Sequence, residues 1–202
     1  MSPNIKAIEL MKPRNPRRRS IGSALPTSIE ERWFGEWQLP RDLSPALRSW
    51  LLEPGLLTDR ILNAAGCKPT LRVLSLHWGV LSAAQCARLH VEGARCFVRE
   101  IELVTQAKRW VFAQTLVPES EGILHTWLAA LGSRSLGEAL ESAQSVTRGP
   151  LEFCYLSPSH PLVVRALEGQ APNRRSLWAR RRWIALIGQR LLVQEVFLPD
   201  HE

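Results

Sequence analysis

An α+β fold, built on a single antiparallel β-sheet with helices packed on one side, is what this sequence predicts. Segments of helical spacing come as a pair, then strands follow, then helices, then strands again. That order differs from the strict alternation that builds a parallel sheet. Several strand-like segments are joined by turns too short to hold a crossover helix. The 202 residues, 45% of them hydrophobic, supply enough apolar material for one core.

Residues 1 to 39 are rich in proline, arginine and serine and lack sustained periodicity. They read as a basic, flexible tail ahead of one domain over residues 40 to 202, with ERWFGEW able to dock its two tryptophans on the body. In LSPALRSWLLEPG, Ser44 caps a helix, Pro45 takes its first position, and Leu47, Trp50 and Leu51 form the apolar stripe. Gly55 stops it, and LTDRILNAAG follows as a second short helix. TLRVLSLHW (70–78) reads as the first strand. CFVREIELV (96–104) and RWVFAQTLVP (109–118) form a hairpin across the turn TQAK. GILHTWLAALG is helical, with Ile123, Trp127, Leu128 and Leu131 as its stripe. In SLGEALES (135–142), Ser135 is the expected cap, with Glu138 three residues on. PLEFCYL (150–156) returns to strand. RRRWIALIGQRLLVQEVFLP reads as a last hairpin turning at Ile187–Gly188–Gln189. Trp78, Trp110, Trp127 and Trp183 fall at packing positions.

The net charge of +7 suggests nucleic acid until it is located. In residues 1 to 20, six cations (Lys6, Lys12, Arg14, Arg17, Arg18, Arg19) face one carboxylate, Glu9. Five of the seven excess charges therefore lie in the tail, without the interleaved aromatics of a nucleic-acid surface. No apolar run reaches the roughly 20 residues that span a bilayer. PRRRSIGSALPTS is too polar for a signal peptide, so the chain reads as cytoplasmic with no membrane insertion; a monomer is expected. Cys67, Cys86, Cys96 and Cys154 show no C-x-x-C spacing, and the five histidines form no H-x-x-x-H pattern. Neither a metal site nor a nucleotide cofactor is expected.

Two charges break the alternation. In LLVQEVFLP, Glu195 shares a face with Leu191, Val193 and Phe197, while Leu192, Gln194, Val196 and Leu198 share the other. In CFVREIELV, Arg99 shares a face with Phe97, Ile101 and Leu103. Glu100 and Glu102 then mark the opposite face as the wet one. Burying an ionised group is costly without a partner. Two readings follow: a structural Arg99–Glu195 salt bridge inside the sheet, or an arginine turned into a chamber to hold a planar carboxylate.

Taken together, WLLEPGLLT, FVREIEL, WVFAQTLVP, LGSRSLGEAL, VTRGPLEF, LWARRRW and LLVQEVFLP resemble the bacterial chorismate lyase (chorismate pyruvate-lyase) family. The likeness runs in the family's order from about Ser44 to Pro199. Residues 79 to 95 depart from the pattern, and the basic tail has no counterpart in compact members. The resemblance implies cleavage of chorismate to 4-hydroxybenzoate and pyruvate on the way to ubiquinone, with no cofactor. It also implies an internal ligand site covered by helical flaps. The family's ligand-contacting arginine falls on Arg99 and its glutamate on Glu195. Two further positions fall on Leu57 and Leu136, where the contact is largely through the backbone. Arg148 and the run Arg180, Arg181, Arg182 are candidates for a second carboxylate, with a solvated basic surface as their other reading. The rival function is a non-catalytic effector-binding domain of the same fold, as in some bacterial transcription regulators. Those follow a winged-helix domain, for which the residues ahead of this body are too few.

Because the tail carries none of the matched residues, deleting residues 1 to 30 is expected to keep lyase activity within a few-fold, about 1 kcal/mol of barrier at most. Steady-state rates of the truncated and full chains measure this; a hundredfold loss in a folded truncation contradicts it.

Overall fold

A computed structural model of the chain describes residues 32–106, 108–143, 145–169 and 175–198. The stretch read as a tail lies outside them as far as residue 31. After a 3-10 turn at Glu36–Gln38, the elements run α1 (Pro45–Leu51), α2 (Leu57–Ala65), β1 (Thr70–Val80), α3 (Ala83–Leu89), β2 (Arg95–Thr105), β3 (Lys108–Pro118), α4 (Leu124–Ala130), α5 (Leu136–Glu141), β4 (Val146–Arg148), β5 (Glu152–Leu156), α6 (Pro161–Ala166), β6 (Leu177–Leu186) and β7 (Gln189–Phe197). The α+β class is as expected. Seven strands form one sheet in the order β1-β2-β3-β7-β6-β4, with β5 also on β6, and every pairing is antiparallel.

Local chemistry explains most boundaries. The Ser44 hydroxyl accepts from the Leu47 N–H at 3.2 Å with Pro45 at the first position, so α1 starts as its sequence predicts. Ser135 occupies the N-cap of α5, but its side chain makes no capping bond; Glu138 pairs instead with Lys68 at 3.2 Å. The last hairpin turns on Ile187 and Gly188, both at positive φ, the backbone that a two-residue type I′ turn requires. Leu186 therefore pairs with Gln189 and the register of both strands is set. Two helices are absent from the sequence reading. Helix α3 lies in the stretch 79–95 and starts on a Ser82/Gln85 capping box, and α6 starts on His160 with Pro161 behind it. In α4 the buried positions are Leu124 and Leu128. Ile123, expected in that stripe, is the N-cap and is exposed.

Helices cover both faces of the sheet, not one. Ile101, Leu103, Val111, Ala113 and Phe197 pack with α1 and α2; Phe97, Val117, Ile184 and Leu191 pack with α4 and α5. The alternate residues point the other way. Phe112 and Val196 meet Leu162, Val163 and Ala166 of α6, while Val98, Leu116 and Leu192 meet Leu89 of α3. Trp33 packs on the α6 side, whereas Trp37 stands in solvent. Trp110 is core. Trp78 is 41% exposed because β1 is an edge strand; its ring lies against Phe97 and under the Arg95 guanidinium. Among the described residues, no helix is long and apolar enough to cross a membrane.

The face expected to be wet is buried. Glu100 is 1% and Glu102 4% exposed, because Arg165 of α6 covers the first and Arg109 of β3 the second. Arg165 pairs with Glu100, which also accepts from the Ser75 hydroxyl at 2.6 Å and the Gln114 amide at 3.1 Å. Arg109 pairs with Glu102 and donates to the Ala166 carbonyl at 2.7 Å. Burial pushes the Glu100 carboxyl up, but Arg165, Ser75 and Gln114 outweigh it and hold the group below the usual carboxylate range. A depressed folded-state pKa stabilises the fold above the unfolded pKa, and that contribution is lost as pH falls through the folded one. Glu100→Gln is expected to cost about 2 kcal/mol near neutrality, discounted because Arg165 is partly exposed. The gap should close in acid; urea melts at pH 7 and below the carboxylate range measure both.

Candidate active site

The sheet face that carries Arg99 floors a cavity of about 550 Å³. Cross-strand register lays two rows along it: Arg99–Thr115–Val193–Arg182 and Ile101–Ala113–Glu195–Arg180. Paired residues point to the same side of a sheet, so these charges converge from three strands. The segment Pro54–Thr58, leading into α2, and the start of α5 at Ser135–Leu136–Gly137 complete the walls. These two helical flaps touch. A Cβ on Gly137 would lie 2.5 Å from Leu56 Cδ2, so only glycine admits this approach without displacing the leucine. Leu57 and Leu136 are the first residues of their helices, where backbone N–H groups have no intrahelical acceptor. All five residues predicted for the site (Leu57, Arg99, Leu136, Arg148 and Glu195) line this one cavity.

Arg99 is 2% exposed. Its Nη2 donates to the carbonyls of Gly132 at 2.9 Å and Arg134 at 3.0 Å, which fixes the guanidinium from the loop after α4. Its Nε is buried without a partner, and burial lowers its pKa. The structural Arg99–Glu195 bridge does not form. The two side chains spring from strands separated by β3, roughly 10 Å apart, and Glu195 accepts from Arg180 Nε at 2.5 Å. Arg180 Nη1 also donates to the carbonyls of Leu51 at 3.1 Å and Glu53 at 2.8 Å, at the end of α1. A solvated basic surface therefore does not describe Arg180, nor Arg181, which is equally buried on the opposite face. There Arg181 pairs with Glu152 at 2.8 Å and lies over the Trp33 ring.

The partnership of Arg180 with Glu195 was absent from the sequence reading, although a signal existed. A two-residue turn at Ile187–Gly188, counted outward, places Arg180 opposite Glu195. Thr58 and Thr115, which lie within WLLEPGLLT and WVFAQTLVP but were not singled out there, also line the cavity. Four guanidinium groups, of Arg99, Arg148, Arg180 and Arg182, face two carboxylates, of Glu141 and Glu195, an excess of two positive charges. Thr58 Oγ1, Arg99 Nε and Arg182 Nε are buried polar atoms without a protein partner, and all three residues line the cavity. Such atoms are where a ligand's acceptors are missed.

Fold and cavity together define an α+β domain with an internal, positively charged cavity of small-molecule size. The family can be stated as well: the chain belongs to the chorismate lyase family, whose model (Chorismate lyase) matches residues 34–201. A protein of Dechloromonas aromatica (strain RCB), named "Probable chorismate pyruvate-lyase", is 40% identical over 158 residues, covering 77% of this chain and 88% of its own. One of Pseudomonas aeruginosa (strain UCBPP-PA14), with the same name, is 38% identical over 83% of this chain and 91% of its own. Among solved structures, PhnF from Mycobacterium smegmatis matches with a TM-score of 0.51 at 15% identity, over 74% of this chain and 66% of its own. That likeness extends to the fold alone.

Arg180→Met would strand Glu195 and two backbone carbonyls at once. A loss of about 3 kcal/mol is expected, read as a lower urea midpoint; an unchanged midpoint would mean that other donors replace it.

Proposed function

We propose that the protein is a chorismate pyruvate-lyase, a carbon–oxygen lyase that converts chorismate to 4-hydroxybenzoate and pyruvate for ubiquinone synthesis. The observation that carries the reading is the cavity's two surplus positive charges in a chain of the chorismate lyase family. Chorismate is a dianion, with one carboxylate on the ring and another on the enolpyruvyl ether.

In the reaction the C3–O bond breaks and the C4–H bond breaks. The C4–H electron pair completes the aromatic ring, and the departing enolpyruvate gains a proton at carbon to become pyruvate. Aromatisation drives the step, so the protein's task is to orient the substrate and stabilise developing charge. Arg99 would receive the ring carboxylate, joined by the first-turn N–H groups at Leu57 and Leu136. Such a charge-assisted contact suits a guanidinium already fixed by two carbonyls. Glu195 would meet the C4 oxygen at the other end. Its Oε2 is occupied by Arg180, which leaves Oε1 for the C4 hydroxyl. The two helical flaps over the cavity and the hold of Arg99 on the product carboxylate favour slow release, so product release would limit turnover.

Glu195→Gln keeps the shape and an acceptor for Arg180 but removes the charge. It is expected to bind 4-hydroxybenzoate normally and lose turnover by about 10²-fold or more. Arg99→Ala is expected to weaken 4-hydroxybenzoate by about 1.5 to 3 kcal/mol while the protein stays folded. A lyase assay beside thermal melts with and without 4-hydroxybenzoate measures both. Wild-type-like specific activity in both variants would return Glu195 and Arg99 to a purely structural role. Binding of 4-hydroxybenzoate without any release of product from chorismate would favour the effector-binding reading.

A further inference from the structure

Of the guanidinium groups at the Glu195 end of the cavity, Arg180 is committed: it holds Glu195 and the carbonyls of Leu51 and Glu53. Arg182 is not. It lies two residues along β6, on the same face of the sheet, and lines the cavity. Its Nε is buried and has no protein partner. Burial and the neighbouring Arg180 and Arg148 lower its pKa, against the opposing pull of Glu195. An ionised group so placed is costly until an anion joins it.

We propose that Arg182 receives the second carboxylate of the substrate, on the departing three-carbon arm, and so distinguishes the dianionic substrate from the monoanionic product. The assignment rests on the lyase reading of the cavity. Its geometry comes from the floor. Arg99 and Arg182 end one cross-strand row, with Thr115 and Val193 between them. Three strand spacings separate their backbones by roughly 14 Å. With both side chains reaching inward, that span fits a six-membered ring carrying a carboxylate at one end and an ether-linked carboxylate toward the other. Glu195 stands in the adjacent row beside Arg180, offset as the C4 oxygen is offset from the C3 ether. Arg148, at the exposed rim of β4, adds positive potential on the same side. Once the C3–O bond has broken, the second carboxylate leaves with pyruvate. The aromatic product then keeps its hold at Arg99 and has none at Arg182.

The test compares Arg182→Gln and Arg182→Lys with the unaltered protein. Three ligands are used: chorismate by steady-state kinetics, and 4-hydroxybenzoate and 3-(carboxymethoxy)benzoate by calorimetry. The last is an unreactive dicarboxylate with its second charge on a meta ether. Arg182→Gln is expected to raise the chorismate KM and the dicarboxylate Kd by roughly 10- to 100-fold. The Kd of 4-hydroxybenzoate should stay within about threefold, and lysine should restore part of the loss by supplying charge without the fork. Equal weakening of all three ligands, or no weakening of either dianion, overturns the assignment. If glutamine prevents folding, the lysine variant decides by the same contrast between dicarboxylate and monocarboxylate. If the unaltered protein releases no 4-hydroxybenzoate from chorismate, the lyase reading falls, and the calorimetric contrast still decides whether Arg182 is a carboxylate receptor.

Discussion

Arg180 ties the end of α1 to β6 and β7, two strands that backbone hydrogen bonds already pair. Through Nε it orients Glu195 on the neighbouring strand, and through Nη1 it holds the last carbonyls of α1. A helix end has spare carbonyls, and a buried guanidinium has five donors to satisfy. Each therefore supplies what the other lacks. The α1–α2 flap is anchored to the floor by the side chain that also holds the cavity's glutamate.

The two faces of the sheet treat charge differently. On the α3 and α6 face the carboxylates of Glu100, Glu102 and Glu152 are each met by arginine: Arg165, Arg109, and Arg88 with Arg181. On the cavity face the arginines outnumber the carboxylates, and two of them keep a buried Nε without a partner. Paired charges are compatible with a packed layer. Surplus charge of one sign, beside an open volume, is what an anionic ligand would relieve.

Much of the frame was legible locally. The Ser44–Pro45 start, the Ile187–Gly188 turn and the period-two placement of Arg99 and Glu195 among apolar residues all follow from spacing within a few residues. The edges of legibility are equally physical. Helix α3 buries only Leu89, so it carries no apolar stripe and its Ser82 cap was its local trace; α6 was marked locally by His160 and Pro161 at its start. Glu100 and Glu102 looked solvent-facing because carboxylates on alternate positions usually are. Nothing near them announces that Arg165, 65 residues away, lies over Glu100. Trp78 looked like core because a tryptophan at such a position usually packs, while its exposure depends on β1 having a neighbour on one side only.

Within single elements, then, side-chain period, caps and turn chemistry determined the α+β class, the last hairpin and the inward direction of Arg99 and Glu195. Partner choice belonged to the tertiary structure. Glu195 is held by Arg180 rather than Arg99, and Arg180 reaches Leu51 across 129 residues of chain. Arg99 is held by a loop after α4, and Leu57 and Leu136 meet at one cavity from distant helices. Those contacts depend on strand order and on how closely two helices can approach, as at Leu56 and Gly137. Both are properties of packing between segments remote in sequence, which no local spacing of residues contains.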